Sequence, residues 1–468
     1  MKKLLFLGAV CVISCASFSA ITPQISYETW DMPNGMKPMG VMGVHARMDF
    51  NDWSYGGISL LSAVAGQDVG GFFAFTYDIG LQHDIAHHFF WDIGGRVGGG
   101  GGHATPVGDG LFYEPYAGLG YHFADWRAEI YYSYVRFVYG SINSDQVGFA
   151  LTLPIHFFET KPNTTSENYI AALTKAYFPQ DNAQTTDQTK ITDSMQFLGI
   201  ELGHFFSQQL FLFFDFSGAM HGNHNGYAEE LLGAGYRFPL FGTSKLFGLM
   251  KMALGSGGGG AVDTGSGFIV HPALGLEYQF AKAWGAEIDV GYLNAPSGNF
   301  SAYDATLLLK YYFSKADSPE DQKKWRARFF NQTYFNPRNE ANEINPTMQL
   351  LGAAIDYFFL PNFYVVGETA FAYIGKNTGG YFSGMVGPGI QSKNLGSTHL
   401  ALFGETLIGA AGGAGLSIGD GALIEPRAGL LYYVNPSWGF QVAVGDLIAF
   451  KGDFQSVTLS SGIFGMIP

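Results

Sequence analysis

Glu114, His271 and Glu425 each stand immediately before a proline, at Pro115, Pro272 and Pro426. Arg127 and Glu129 follow the first of these, Glu287 and Asp289 the second, and Arg427 adjoins the third. These eight are the candidate lumen-facing polar residues, because each falls on the polar face of a stretch that alternates with apolar side chains. On the inner wall of a wide barrel such charges would form rings that set the ion preference of a pore. Inside a narrow barrel they would pair with one another and fill it. Both readings stay open from sequence.

Other chemistry finds less support. His83-Asp84-Ile85-Ala86-His87-His88 spaces two histidines at i and i+4, a metal-ligand spacing only on a helix. The segment reads as a short connection between strands, and no third ligand can be assigned. His221 and His224 lie in a loop. Neither pair is taken as a metal site, and all four are read as exposed or rim histidines. Ser, His and Asp are present, but no G-x-S-x-G nucleophile turn is found, so no catalytic residue is assigned. The glycine run 97–103 (VGGGGGH) lacks the Lys-Ser/Thr and following helix of a phosphate loop. No cofactor is expected.

That glycine run recurs. Gly-rich tracts at 97–102, 255–260 and 409–415 each precede a Gly-x-Gly, at 108–110, 265–267 and 419–421, with the proline seven residues further on. The prolines recur about every 155 residues, so the chain is three tandem copies of one unit. The tracts are read as architecture: they end one strand, and glycine permits tight bends at the rim.

Within a copy the period is two. Trp284, Ala286, Ile288, Val290 and Tyr292 share one face, and Gly285, Glu287, Asp289 and Gly291 the other. Val270 to Phe280 precedes it with the same alternation, joined by a turn at 281–283. Seven strands per copy are legible, in the middle copy near 196–206, 210–220, 228–241, 245–256, 268–280, 284–294 and 302–313. Seven leaves the chain on the wrong side for the next copy. An eighth is expected at 24–30, 168–178 and 324–335. The rival for the last segment is a helix started by Ser318-Pro319-Glu320-Asp321.

Composition says where the apolar faces point. The sequence is 47% hydrophobic and 16% aromatic but only 14% charged, against roughly 25% charged in soluble domains. No stretch approaches 18 consecutive apolar residues, so a transmembrane helix is not expected. Strands of about 10–13 residues with aromatics at their ends, such as Phe280, Trp284, Tyr292 and Trp438, suit tilted spanning strands. Residues 1–20 read as a secretory signal, with Lys2 and Lys3 before an apolar run and small residues after it. Cys11 and Cys15 both fall there, and lipidation of Cys15 is the alternative to ordinary cleavage. Losing the two lysines takes the formal net charge from −14 to −16, which argues against nucleic acid as a partner.

On these features the chain resembles Gram-negative outer-membrane β-barrel proteins at the level of architecture. One departure is the end of the chain, where Phe464 stands near, rather than at, the terminus. The expectation is all-β: an antiparallel up-and-down transmembrane β-barrel of three tandem repeats of about eight strands. A single ring of ~24 strands is favoured over three small barrels. The domains are a signal at 1–20 and repeats at 21–158, 159–314 and 315–468, the last two each opening on a linker or strand. The resemblance implies an outer-membrane location and, as partners, outer-membrane lipid and the barrel-insertion machinery. The function expected is passage of small hydrophilic solutes through a porin-like channel. The alternatives are a structural or surface-binding protein of three filled eight-stranded barrels, and a membrane-embedded hydrolase.

Overall fold

A computed structural model describes residues 21–102, 105–155, 167–243, 245–313, 325–337, 347–416 and 418–467. The signal segment and Ser318–Asp321 lie outside them. The described residues form 24 strands. The first eight are β1 (Ile21–Trp30), β2 (Met39–Asn51), β3 (Ser54–Ala65), β4 (Phe73–Ala86), β5 (Phe89–Gly101), β6 (Leu111–Phe123), β7 (Trp126–Phe137) and β8 (Asn143–Thr152). Next come β9 (Glu167–Pro179), β10 (Met195–Phe205), β11 (Leu210–His221), β12 (Ala228–Pro239), β13 (Leu246–Gly258), β14 (Phe268–Ala281), β15 (Trp284–Asn294) and β16 (Ser301–Phe313). The last eight are β17 (Trp325–Phe335), β18 (Met348–Leu360), β19 (Phe363–Ile374), β20 (Phe382–Gln391), β21 (Leu400–Gly412), β22 (Ala422–Asn435), β23 (Trp438–Ala449) and β24 (Gln455–Ile467).

Each set of eight closes on itself, giving three antiparallel barrels in one chain. The single ring favoured from sequence therefore does not form. The closing ladders show why. β1 pairs with β8 (Tyr27 opposite Phe149), β9 with β16 (Leu173 opposite Leu308), and β17 with β24 (Phe330 opposite Gly462). The extra strand opening each copy thus returns the chain to the edge its own eighth strand leaves open. The segments 168–178 and 325–335 are strands, not helices. The hairpin turn after β14 is also tighter than expected: Ala281 already faces Trp284, leaving only Lys282 and Ala283 to turn.

Alternation sorts the side chains as period two demands. In β15, Ile288 and Val290 are more than half exposed while Glu287 and Asp289 are buried. In β14, Leu274, Leu276 and Tyr278 point outward, and His271 and Glu277 inward. The outer surface is thus a belt of bare Leu, Ile, Val and aromatic side chains. Such a belt is far larger than a soluble monomer exposes, and it matches the lipid-facing surface of spanning strands.

The three barrels pack in a cycle. The third strand of each lies against the fifth and sixth strands of the next: β3 on β13 and β14, β11 on β21 and β22, β19 on β5 and β6. Phe73, Phe75, Ala228, Phe371 and Phe382 bury one another at this hub, and Phe75 stacks on Phe371 with centroids 5.9 Å apart. Tyr77 reaches across from β4, its hydroxyl donating to the Gly352 carbonyl at 2.5 Å and accepting from the Phe330 N–H at 3.1 Å.

The glycine tracts sit where the barrels meet. Gly71 lies on Gly258 and Gly259, Gly226 on Gly412 and Gly413, and Gly380 on Gly101 and Gly102, backbone against backbone. A Cβ on Gly412 would collide with the main chain of Gly226, and one on Gly71 with that of Gly259. Besides bending the rim, the tracts let three barrels approach closer than any side chain allows.

Candidate functional site

Eight strands enclose an interior just wide enough for side chains, and here it is filled with charge. In the second barrel the Lys251 ammonium donates to Glu201 at 2.8 Å, Glu287 at 2.9 Å and Asp289 at 3.0 Å. Lys310 pairs with Glu287 and, at 3.3 Å, with Glu277. Lys175 holds Asp215 at 2.9 Å and Glu229 at 2.5 Å, and His271 meets Asp304 at 2.7 Å. All of these residues are buried.

The third barrel uses arginine. Arg427 grips Glu368 with two nitrogens, at 3.0 and 2.6 Å, and Glu405 through Nε at 2.6 Å. Arg328 bridges Asp356 at 2.8 Å and Glu405 at 2.9 Å, and Arg326 donates to Asp356 at 2.5 Å. Glu425 accepts from Thr458 at 2.5 Å and Gln332 at 2.9 Å. The two-nitrogen grip of Arg427 on Glu368 is the bidentate geometry that suits a planar guanidinium.

In the first barrel Arg96 donates to Glu114 at 2.9 Å and lies over the Tyr116 ring at 4.7 Å. Arg47 sits 3.5 Å above the Tyr55 ring and pairs with Asp92 at 3.3 Å. Glu28 accepts from Trp30 Nε1 at 2.7 Å and Ser133 at 3.0 Å.

The eight residues singled out from sequence therefore fall in three separate interiors. Within one barrel, Glu287 and Asp289 share Lys251. Arg427 lies 3.8 Å from Glu425. Arg127 and Glu129 do not bond each other; Arg127 reaches Gln82 at 3.4 Å, and one Glu129 oxygen is buried without a partner. The sequence reading missed the counter-ions Arg96, Lys175, Lys251, Lys310, Arg326 and Arg328. Their signal was the same alternation: Lys251 stands between Leu249 and Ala253 on the inward face of β13. Gly275 has a defined use beside them, since a Cβ there would run into the Asp289 carboxylate.

The histidine pairs do not gather. His83 ends near Trp91 on the outer face of β4, with ring centroids 6.3 Å apart, and His87 sits in the following turn at φ 54°. Among the described residues no cluster of three or more His, Cys, Asp or Glu is arranged to hold a metal.

The Gly-x-Gly motif forms a clasp between barrels on the long-loop side. Asp109 accepts from the Asn377 N–H at 2.9 Å, and Ser266 donates to the Val64 carbonyl at 3.3 Å. Asp420 takes His221 Nδ1 at 2.7 Å and Lys451 at 2.6 Å. The Lys451 ammonium, and after it His221, hold the Asp420 carboxyl below its ordinary range despite partial burial. Around this third clasp lies a polar cleft of about 360 Å³ lined by Asp193, His221, Asn223, Asp420 and Lys451.

No family model matches the sequence, and no curated protein matches it. Solved structures that are similar include the copper transporter OprC, at 10% identity over 96% of this chain and 80% of that one, with a TM-score of 0.30. Pseudomonas aeruginosa OpdQ aligns at 10% identity over 96% of this chain and 97% of that one, TM-score 0.23. The Pseudomonas aeruginosa ferric enterobactin receptor mutant R480A aligns at 8% identity over 96% and 82%, TM-score 0.31.

Proposed function

We propose that the chain is an outer-membrane protein whose three sealed barrels act as a rigid scaffold for its long-loop face, which is the surface that binds. The single observation that carries this reading is the plugging of every interior. Each barrel is crossed by buried, mutually paired charges, and opening a solute path would strand several of them in a dry interior at a cost of several kcal/mol each. The outward belt supports membrane placement. On the long-loop side the Gly-x-Gly clasps order the connecting loops, and the cleft at Asp420 offers a polar surface for a partner. The reading is non-enzymatic, with no catalytic residue assigned.

Planar-bilayer recording tests it. Inserted protein is expected to give no stepwise conductance. Regular steps from folded, heat-modifiable protein would restore the passive channel for small hydrophilic solutes.

A further inference from the structure

The outer wall of the third barrel carries a cavity of about 780 Å³ lined by Phe363, Pro388, Ile390, Gly404, Val444 and Asp446 among others. It is a shallow groove, open along the outer wall rather than enclosed. Two breaks in hydrogen bonding flank it. The β20–β21 ladder stops after Val386–Ile408 and resumes at Gly389–Glu405, skipping Pro388. The β22–β23 ladder stops after Ile424–Ile448 and resumes at Arg427–Gly445, skipping Pro426. Proline has no N–H to give a ladder, so the wall parts there.

The other two barrels serve as internal controls. β5, β13 and β21 all end on glycine, and eight residues before that end stand Ile93, Met250 and Gly404. Ile93 and Met250 are outward, about half-exposed side chains. β7, β15 and β23 all begin on tryptophan, and eight residues on stand Tyr134, Tyr292 and Asp446. The strands paired as β20–β21 in the third barrel keep their ladder opposite Ile79 and Ala234 in the other two, whereas the gap at Pro426 recurs at Pro115 and Pro272, so only the break at Pro388 is peculiar to the third barrel. The cavity therefore exists because the third barrel lacks two large side chains that its siblings carry, and has a proline instead of Ile79 or Ala234.

Asp446 sets the chemistry. It replaces an aromatic on the membrane-facing side, three residues from the loop-side end of β23. One of its carboxylate oxygens accepts from Gln455 at 2.9 Å, while the other is buried without a partner. The unbonded oxygen has no surface of its own, so a donor from the bilayer meets the carboxylate at the exposed oxygen that Gln455 already holds. The cavity is continuous with the apolar belt, so its occupant comes from the bilayer. We infer that it holds one acyl chain of a lipid whose ammonium head group bonds to Asp446. This rests on the membrane placement proposed above.

The test uses the full protein reconstituted in vesicles of phosphatidylethanolamine and phosphatidylglycerol, equimolar and with identical acyl chains. It is then released in mild detergent, and native mass spectrometry counts the lipids retained. The wild type is expected to keep one phosphatidylethanolamine. Gly404→Leu should lose it at least tenfold, and its fold should survive, since a Cβ there finds only Arg427 O at 3.9 Å and Ile390 Cγ2 at 4.0 Å. Asp446→Asn should keep a lipid but lose the head-group preference. Asp446→Tyr, the residue of the sibling barrels, is the second filling variant should Gly404→Leu fail to fold. No retained lipid in the wild type, equal retention in the filled variants, or equal retention of both head groups would overturn the proposal. So would a dimer that Gly404→Leu abolishes, which would make the cavity an interface between copies. Protein that never enters the vesicles would instead contradict membrane placement itself.

Discussion

The barrel interiors and the hub between barrels are built from opposite materials. Inside, Lys251, Lys310, Arg328 and Arg427 hold carboxylates in dry networks, and each network belongs to one barrel. At the hub, phenylalanines stack and glycine backbones touch, with the carboxylate of Glu230 buried beside them. Neither Glu230 oxygen is bonded; the Ser62 hydroxyl lies alongside without closing a bond of good geometry. The contrast separates two tasks. Directional charge pairs fix which strands close a ring, whereas non-directional packing only brings finished rings together. Charge at the hub would have to be paired across the surfaces of two different barrels, at a desolvation cost that rarely breaks even.

The contrast can be broken first where it is strongest. Lys251→Met leaves Glu201, Glu287 and Asp289 facing one another, so it should cost about 3–5 kcal/mol. Urea titration followed by gel mobility would show it, with proteolysis reporting loss of the second barrel before the others. Glu230→Leu should act in the other direction, stabilising by about 1–3 kcal/mol, because it removes an unbonded buried carboxylate. A loss of stability there would mean that Glu230 has an essential partner. Gly412→Ala pushes a methyl into Gly226 and should cost about 1–3 kcal/mol. Its effect should fall on the association of barrels, so cleavage in the linkers would release barrels that the wild type keeps together. The smallest effect belongs to the clasp at Asp420. Its carboxyl sits below the ordinary carboxylate range when folded. The stability it gives is therefore present above about pH 4, near the unfolded value, and lost as pH falls through the lower folded value. With Lys451 largely exposed, the size is about 1 kcal/mol or less. Hydrogen-exchange protection of 413–416 and 418–421, corrected for the intrinsic pH dependence of exchange from pH 7 to pH 2, should fall only at the acid end, and Asp420→Asn should flatten that fall.

Local rules were legible in the sequence wherever one strand decides them. The alternation in 284–292 placed Glu287 and Asp289 inward and Ile288 outward. The strand bounds of the middle repeat follow from the turn residues between them. Closure was not legible, because a ladder such as Tyr27 with Phe149 is a choice between edges far apart in sequence. Periodicity says which face a residue takes but not which strand lies beside it. The eighth strand was the informative clue, since it restores parity within each repeat and lets each ring close early. The charged partners went unread for a related reason. Lys251 and Glu201 are 50 residues apart, and only the ring brings them to 2.8 Å. The glycine tracts were read as rim bends. Their contact with the next barrel is a tertiary fact that no single repeat contains.

Closure in three separate rings is the claim on which the filled interiors, the hub and the lipid-facing cavity all depend. Paired cysteines test it most directly. In protein with Cys11 and Cys15 changed to serine, Tyr27→Cys with Phe149→Cys joins two outward residues that face each other across the β1–β8 ladder. Three rings predict rapid disulfide formation in that pair in the folded state, and none between Phe149→Cys and Leu307→Cys in a different barrel. Failure of the first pair to cross-link in folded protein, with β1 instead cross-linking to β24, would contradict the account.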